Sequence, residues 1–517
     1  MRKDLPTTCD VAVIGGGMAG MATAARLQAR GLSTVVVEGH TTPGGCAGFY
    51  RRKGFSFDVG ATTLVDFAPG GVGAELLTSV GLPPLEGEAL PGYVAWLPDR
   101  VVTLHRDLDA WHRERLRAFG GSPAHKAFWV FLDRLALVFW EASRTGIRLP
   151  LRGPGDVVHD LRALGPRNLL LARHLGSTLG DALRRFGLRH DTPLVGLLSM
   201  LVEDTVHNIV DQAPLINAAL GITIRGAGLT RARGGMRGFW RCFAAQYRAL
   251  GGELYVGCRA QRVDGSAGSF QIQTTGGLLR AAQVVSSLPA SETARIAPAP
   301  VADGLARFLW RDADAVAGAV VVFLGVPEAE VEGHAFTHHQ LLQEYAAPLG
   351  NGNNMFVSVS AAGDTDSAPQ GHRAVMISTH CELEDWEGLD PTEYQARKQA
   401  IGTRLIRLAR RVYPRLGERA LVREVGTPRT YERYAGRPRG AVGGVRLALG
   451  NANQRAIPHN LGVPGFWLAG DTTWPGLGTV ACALGSRIVA DGVLGEAHRI
   501  PHAHGRRDRG RGTLART

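Results

Sequence analysis

The stretch DVAVIGGGMAGMATAARLQARGLSTVVVE, Asp10 to Glu38, decides the fold. Asp10 to Ile14 is a short apolar, β-branched run and reads as a fully buried parallel strand. It enters GGGMAG directly, and the Ala-, Leu- and Arg-rich segment that follows favours a helix ended by Gly31. TVVVE then closes a strand–helix–strand unit. Gly15, Gly17 and Gly20 fit G-x-G-x-x-G in that setting. Gly15 permits the tight turn, Gly17 lets the backbone approach a pyrophosphate, and Gly20 lets helix pack on strand. The first helical turn, with Met18 and Ala19, offers free N–H groups and a partial positive charge to phosphates. Glu38 ends the second strand, placed to accept hydrogen bonds from ribose hydroxyls. An acid there repels a 2′-phosphate, which leaves FAD or NAD as the dinucleotide.

Three further segments carry the same signal outward. GHTTPGGCAGFYRRKGFSFDVGATTL follows Glu38, and its Pro43-Gly44-Gly45 makes a second tight, backbone-exposing turn. RGGMRGFWRCFAAQYRALGGELYVGCRAQRV reads as a loop, a helix and a strand over Cys258–Val263, with VVSSLPA a further buried strand from Val284 to Ala290. GFWLAGDTTWPGLGTVACALGSRIVAD reads as a strand from Phe466 to Ala469, a Gly470-Asp471 turn, a glycine-rich loop and a helix. The P-G-G turn, Phe57-Asp58-Val59-Gly60-Ala61, and the set Gly470, Asp471, Pro475, Gly476, Gly478 and Thr479 resemble flavoproteins of the amine oxidase and carotenoid desaturase superfamily. The resemblance implies FAD, with Gly44, Gly45, Gly60 and Ala61 along the pyrophosphate and flavin. It places Gly470 and Asp471 on the ribityl chain or phosphates, the helix after Gly478-Thr479 towards the flavin pyrimidine, and Val263 against the adenine. Many members carry Arg directly after the two glycines, where this chain has Cys46. Arg51 and Arg52 are then the candidates to replace the cation.

DQAPLINAAL (Asp211 to Leu220), LEDWEGLDPTEY (Leu383 to Tyr394) and EVGTPRTYERY (Glu424 to Tyr434) are similar to the carotenoid isomerase branch, which converts poly-cis lycopene to the all-trans form. The resemblance implies an FAD-dependent oxidoreductase acting on a lipophilic polyene, most simply by cis-to-trans isomerisation. A phytoene-type desaturase or a retinol-type saturase shares the same motifs, and an amine oxidase is a poorer match. A non-enzymatic prenyl-lipid carrier of this architecture can dispense with the ribose acid and the C-terminal Gly-Asp, both kept here as Glu38 and Asp471.

The rest of the chain sets bounds. Of 517 residues, 45% are hydrophobic and 20% charged, an ordinary globular composition spread over several domains. The net charge of +12 is uneven: residues 498–517 hold six arginines against one aspartate and read as a solvated tail or a contact with anionic lipid. No nucleic-acid motif accompanies the charge. The six cysteines include no C-x-x-C pair, and the seventeen histidines no metal-ligand spacing, so neither metal nor disulfide is expected. His207 reads as a structural histidine, and no nucleophile elbow or catalytic acid stands out. Residues 110–210 are helical in pattern. There FWVFLDRLALVFW (Phe128 to Trp140) is either a core helix or a membrane-facing lid with interfacial Trp129 and Trp140. No signal peptide or spanning segment is evident, so the expected location is cytoplasmic with peripheral membrane contact. The fold class is α/β: a discontinuous Rossmann-like FAD domain (1–110, 220–300, 430–497), a helical lid (111–219), a mixed-sheet substrate domain (301–429) and the tail.

Overall fold

β1 (Thr8–Ile14), α1 (Met18–Ala29) and β2 (Thr34–Glu38) form as the opening motif requires, in a computed structural model that describes residues 5–497. The basic tail lies outside those residues. β1 and β2 are parallel, with Ala12 opposite Val35 and Ile14 opposite Val37. Both faces of β1 are covered, which is why its sequence does not alternate. Val11 and Val13 pack in a core with α1 and the helix Thr479–Ala497, whereas Ala12 and Ile14 join Val263, Ile272 and Leu305 on the other side. Full burial of each Val or Ile is worth roughly 1.5–3 kcal/mol.

Distant segments complete this sheet. Its order is Glu253–Val256, β2, β1, Gly277–Ser286, Phe270–Thr274 and Ala260–Asp264. The strand Gly277–Ser286 shares one edge between two partners. Gly277 to Ala281 pair antiparallel with Phe270–Thr274, and Val284 to Ser286 pair parallel with Phe466–Leu468. The strand stops at Ser286 and does not reach Ala290, because Pro289 caps the helix Ala290–Ile296 and cannot donate to a ladder.

A second sheet has seven strands. It runs Val422–Gly426, Gly318–Pro327, His372–Cys381, Asn354–Val359, His338–Leu342, Gly92–Trp96 and Val101–His105. It is mixed, since His338–Leu342 and Gly92–Trp96 pair in parallel and the other neighbours antiparallel. The hairpin 92–105 therefore belongs here and not with the dinucleotide sheet, a correction to the boundary at 110. A lone two-stranded hairpin buries too little to stand alone, and this one buries Ala95, Val102 and Leu104 by extending the sheet edge.

Between them lies the helical region. The helix Pro123–Thr145 starts at Ser122, whose side chain accepts from His125 N, and ends at left-handed Gly146 (φ +103°). It buries Phe128, Trp129, Leu132, Leu135, Phe139 and Trp140. Trp129 and Trp140 are 6% and 9% exposed, which makes this a core helix whose exposed large apolar side chains are Val130 and Leu137. No helix among the described residues is long and apolar enough to cross a membrane.

Candidate functional site

The first glycine loop shows directly what each glycine does. A Cβ on Gly20 would lie 2.1 Å from the Gly15 carbonyl oxygen and 2.5 Å from Ser287 Oγ, so Gly20 closes the contact between α1 and β1. A Cβ on Gly17 would meet nothing within 4 Å. Gly17 fronts open space at the start of a helix with no side-chain cap, leaving orphan N–H groups directed at a cavity that Met18 and Ala19 also line. Such a cradle fits a diphosphate. Glu38 Oε2 accepts from Gly16 N and Oε1 from His40 N, each at 2.6 Å. The carboxylate is thereby fixed in orientation at the cavity wall.

The second turn is docked on the first by Gly44 N donating to Gly16 O at 2.8 Å. Gly44 sits at φ +131°, and a Cβ there would press on Gly48 Cα at 2.6 Å and Trp240 Nε1 at 2.8 Å. Trp240 Nε1 in turn donates to Ala47 O at 2.7 Å. Gly60 approaches the Cys46 carbonyl, and Tyr431 Oη donates to Val59 O at 2.6 Å, holding the segment in place. Gly44, Gly45, Gly60 and Ala61 all line the cavity. Asp58 does not. It is buried, pairs with Arg231 at 3.0 Å and accepts from Met236 N at 2.8 Å, so it braces the segment from behind. Burial pushes its carboxyl up, with Arg231 opposing.

From the C-terminal side Gly470, Asp471, Gly478 and Thr479 reach the same cavity. Gly470 (φ +123°) and Gly478 (φ +107°) hold backbone conformations that side chains rarely adopt. Thr479 opens the helix Thr479–Ala497, and its Oγ1 accepts from Val65 N at 3.3 Å. Three further candidate residues, Arg51, Arg52 and Val263, lie at the rim of the cavity or behind it. Arg51 and Arg52 are exposed at the cavity rim, Arg52 lying 3.5 Å from Glu424. The cation beside Cys46 is Arg437, which donates to Asp471 Oδ2 and lies against the Cys46 thiol. Burial pushes that thiol up, with Arg437 opposing. Nothing near Cys46 in sequence signals this residue. Val263 is buried in the sheet, paired with Ile272, and does not reach the cavity; Arg259 and Ala260, at the start of that strand, do.

The cavity has a volume of about 1400 Å³, above the roughly 300–1,000 Å³ of a single small-molecule site. It continues past the glycine loops to a wall built by the helix Thr192–Val206 and the second sheet. That helix is capped by Asp191, whose side chain accepts from Leu194 N at 3.1 Å. At i, i+3, i+4 and i+7 it sets Met200, Glu203, Asp204 and His207 on the cavity side. Glu203 Oε2 lies 2.8 Å from His380 Nδ1 and accepts from Asn354 Nδ2 at 2.6 Å. His207, at φ +55°, stacks edge-on to His380 with ring centroids 4.6 Å apart. Burial pulls His207 well below the ordinary histidine value. Burial also pulls on His380, but Glu203 and Asp204 outweigh it and hold this ring above that value. An i, i+1, i+4 acid–acid–histidine face on an otherwise apolar helix is the signal in the sequence for this wall.

A family model described as flavin containing amine oxidoreductase matches residues 171–494, and one described as an NAD(P)-binding Rossmann-like domain matches 13–79. A prolycopene isomerase of an Oncidium hybrid cultivar is 25% identical over 94% of this chain and 84% of its own length. The prolycopene isomerase of Arabidopsis thaliana is 25% identical over 95% and 84%, and a 4,4′-diapolycopene oxygenase of a Methylomonas species is 23% identical over 94% and 98%. A phytoene desaturase of Pantoea ananas matches over only 18% of this chain. Among solved structures, a redesigned putrescine oxidase superposes with a TM-score of 0.63 at 14% identity, covering 95% of this chain and 99% of its own.

Proposed function

This chain belongs to the flavin containing amine oxidoreductase family and is an FAD-dependent oxidoreductase, and from that premise we propose that it isomerises a long conjugated polyene from cis to trans. The observation that carries this reading is the extent of similarity. Prolycopene isomerases match along almost the whole chain, substrate sheet included, whereas the phytoene desaturase match is confined to a fraction of it.

In this reading Gly15, Gly17, Met18, Ala19, Gly44 and Gly45 hold the diphosphate, and Glu38 holds the ribose. Gly60, Ala61, Gly470, Asp471, Gly478 and Thr479 hold the ribityl and ring portions. Arg437, tied to Asp471, replaces the cation that relatives carry after the paired glycines. Reduced flavin, when bound, supplies the electron density that lowers the order of a nearby polyene double bond. The protein's own residues position and shelter. Phe356, Val321, Phe323 and Met355 of the second sheet line the cavity with apolar surface, and burying a polyene there is favoured by about 25 cal/mol per Å². The helix Thr479–Ala497 directs its positive end at the same space, which favours negative charge there.

Contact with a bilayer completes the reading, because such a substrate partitions into lipid. Three adjacent helical segments expose Val130 and Leu137, Val157, Val158 and Leu161, and Leu169 and Leu170. Exposed Arg134, Arg162, Arg167 and Arg173 belong to the same segments. Apolar side chains with flanking arginines suit the interface of an anionic membrane.

The test is anaerobic incubation of FAD-loaded protein with poly-cis lycopene in liposomes, with and without dithionite, followed by chromatography. All-trans lycopene formed only with reduced flavin is the expected result. Dehydrogenated product under oxidising conditions in its place would overturn isomerisation in favour of desaturation.

A further inference from the structure

An all-carbon polyene offers no hydrogen bond, yet the cavity wall facing it is polar. Asp204 is exposed and lines the cavity. Its one hydrogen bond among the described residues comes from Gln340 Nε2, at 3.2 Å to Oδ2. Gln340 is 2% exposed, lines the same cavity, and its Oε1 has no partner. Behind them Arg225, 4% exposed, stacks over the Tyr93 ring at 5.5 Å and leaves Nη2 without a partner. Glu203, by contrast, has its Oε2 held by both His380 and Asn354. The two acids at adjacent positions thus differ in kind: Glu203 is committed to the framework, and Asp204 is presented to whatever enters.

We propose that Asp204, with Gln340, is a recognition site for an oxygen atom, hydroxyl or carbonyl, carried by the polyene substrate. The proposal rests on the polyene reading above and narrows its substrate class. Leaving a buried polar group unmatched costs about 1–3 kcal/mol, so a pure hydrocarbon lying against Asp204 and Gln340 forfeits what an oxygenated chain recovers. Burial raises the Asp204 carboxyl, and Glu203 adds to this while His380 and Arg225 oppose it. A carboxylate accepts from a hydroxyl, and an un-ionised carboxyl both donates and accepts, so a hydroxyl is matched in either state of Asp204 and a carbonyl by the un-ionised acid. Met200, Phe356 and Met355 around it accommodate the hydrocarbon part of the same molecule.

The experiment compares poly-cis lycopene with the same chain bearing a terminal hydroxyl and with one bearing a terminal aldehyde. Each is presented in liposomes to the FAD-loaded full chain. Binding is read by quenching of tryptophan fluorescence and turnover by chromatography. Wild type should prefer at least one oxygenated chain by about tenfold, the value of 1.4 kcal/mol, and which of the two is preferred identifies the oxygen function. In Asp204→Leu that ratio should fall towards one, and Asp204→Asn, which keeps a donor and an acceptor, should retain part of it; flavin content serves as the control for folding. A wild-type ratio of one or below, with lycopene still isomerised, overturns this inference and leaves the isomerase reading standing. Failure to act on any of the three polyenes overturns both.

Discussion

Removing the guanidinium of Arg437 should cost the protein its cofactor. Arg437 and Asp471 are 14% and 15% exposed and are joined by a hydrogen-bonded ion pair. Breaking such a pair by deleting one partner costs about 3–5 kcal/mol, because the remaining charge stays buried without compensation. Their residual exposure places this pair near the lower end, at about 3 kcal/mol. That cost falls on the stability of the apoprotein; FAD binding loses in addition the cation beside its site, and a hydrogen bond to a charged group is worth about 1.5–3 kcal/mol. At 1.4 kcal/mol per factor of ten, Arg437→Ala should weaken FAD retention by about ten- to a hundredfold. Retention is measured as the ratio of flavin to protein absorbance after gel filtration and as a fluorescence titration of apoprotein. Adding Asp471→Asn separates the two roles. It should restore the thermal stability of the apoprotein, because a neutral amide needs no counter-ion, without restoring FAD affinity. An Arg437→Ala protein that binds FAD within about threefold of wild type would refute the assignment, as would a double variant whose apoprotein is less stable than either single one.

The second and third glycines of the opening motif should fail in different ways. Gly17→Ala meets nothing within 4 Å and should fold normally yet lose FAD, whereas Gly20→Ala meets the Gly15 carbonyl at 2.1 Å and should lower stability as well; equal melting temperatures for the two apoproteins would contradict this. The Glu203–His380 pair predicts a pH effect of definite sign. His380 is held above its ordinary value, so its contribution to stability is complete below about pH 6.5 and is lost as the pH rises through the folded value. Asp204 and Arg446 act on the same ring and His207 packs edge-on against it, and Glu203→Gln should flatten the decline in melting temperature above pH 6.5; an unchanged slope would exclude the pair as its source. Leu137→Asp combined with Leu170→Asp should reduce sedimentation with anionic liposomes severalfold while leaving flavin content intact, and undiminished sedimentation would remove this face from the membrane reading.

What could be read from the sequence was whatever depends on short-range order. β1, α1 and β2 declare themselves through buried β-branched runs and three glycines with distinct steric duties, and the C-terminal Gly470-Asp471 turn does so again. Features set by long-range pairing could not be read. Arg437 reaches Cys46 from a segment with no spacing relation to it, and the hairpin 92–105 joins the second sheet through a partner at 338–342. Val263 is a case of the same kind: its strand begins beside the cavity, but the residues that line it are Arg259 and Ala260, ahead of a register shift between Ala260 and Arg262 that the sequence does not announce. The helix Pro123–Thr145 was ambiguous because apolar periodicity identifies a buried face without saying whether protein or lipid buries it; Trp129 and Trp140 face protein.

The strand Gly277–Ser286, gripped on one side by β1 and on the other by Phe466–Leu468, has a consequence for biosynthesis. In a nascent chain the first glycine loop emerges well before the other half of the cradle, which follows only after residue 465. Until Phe466–Leu468 has emerged, the edge at Val284 to Ser286 is an unpaired template for other chains. Cofactor loading is therefore a late event, and a shortage of FAD would be felt as impaired maturation of completed chains rather than as slowed synthesis.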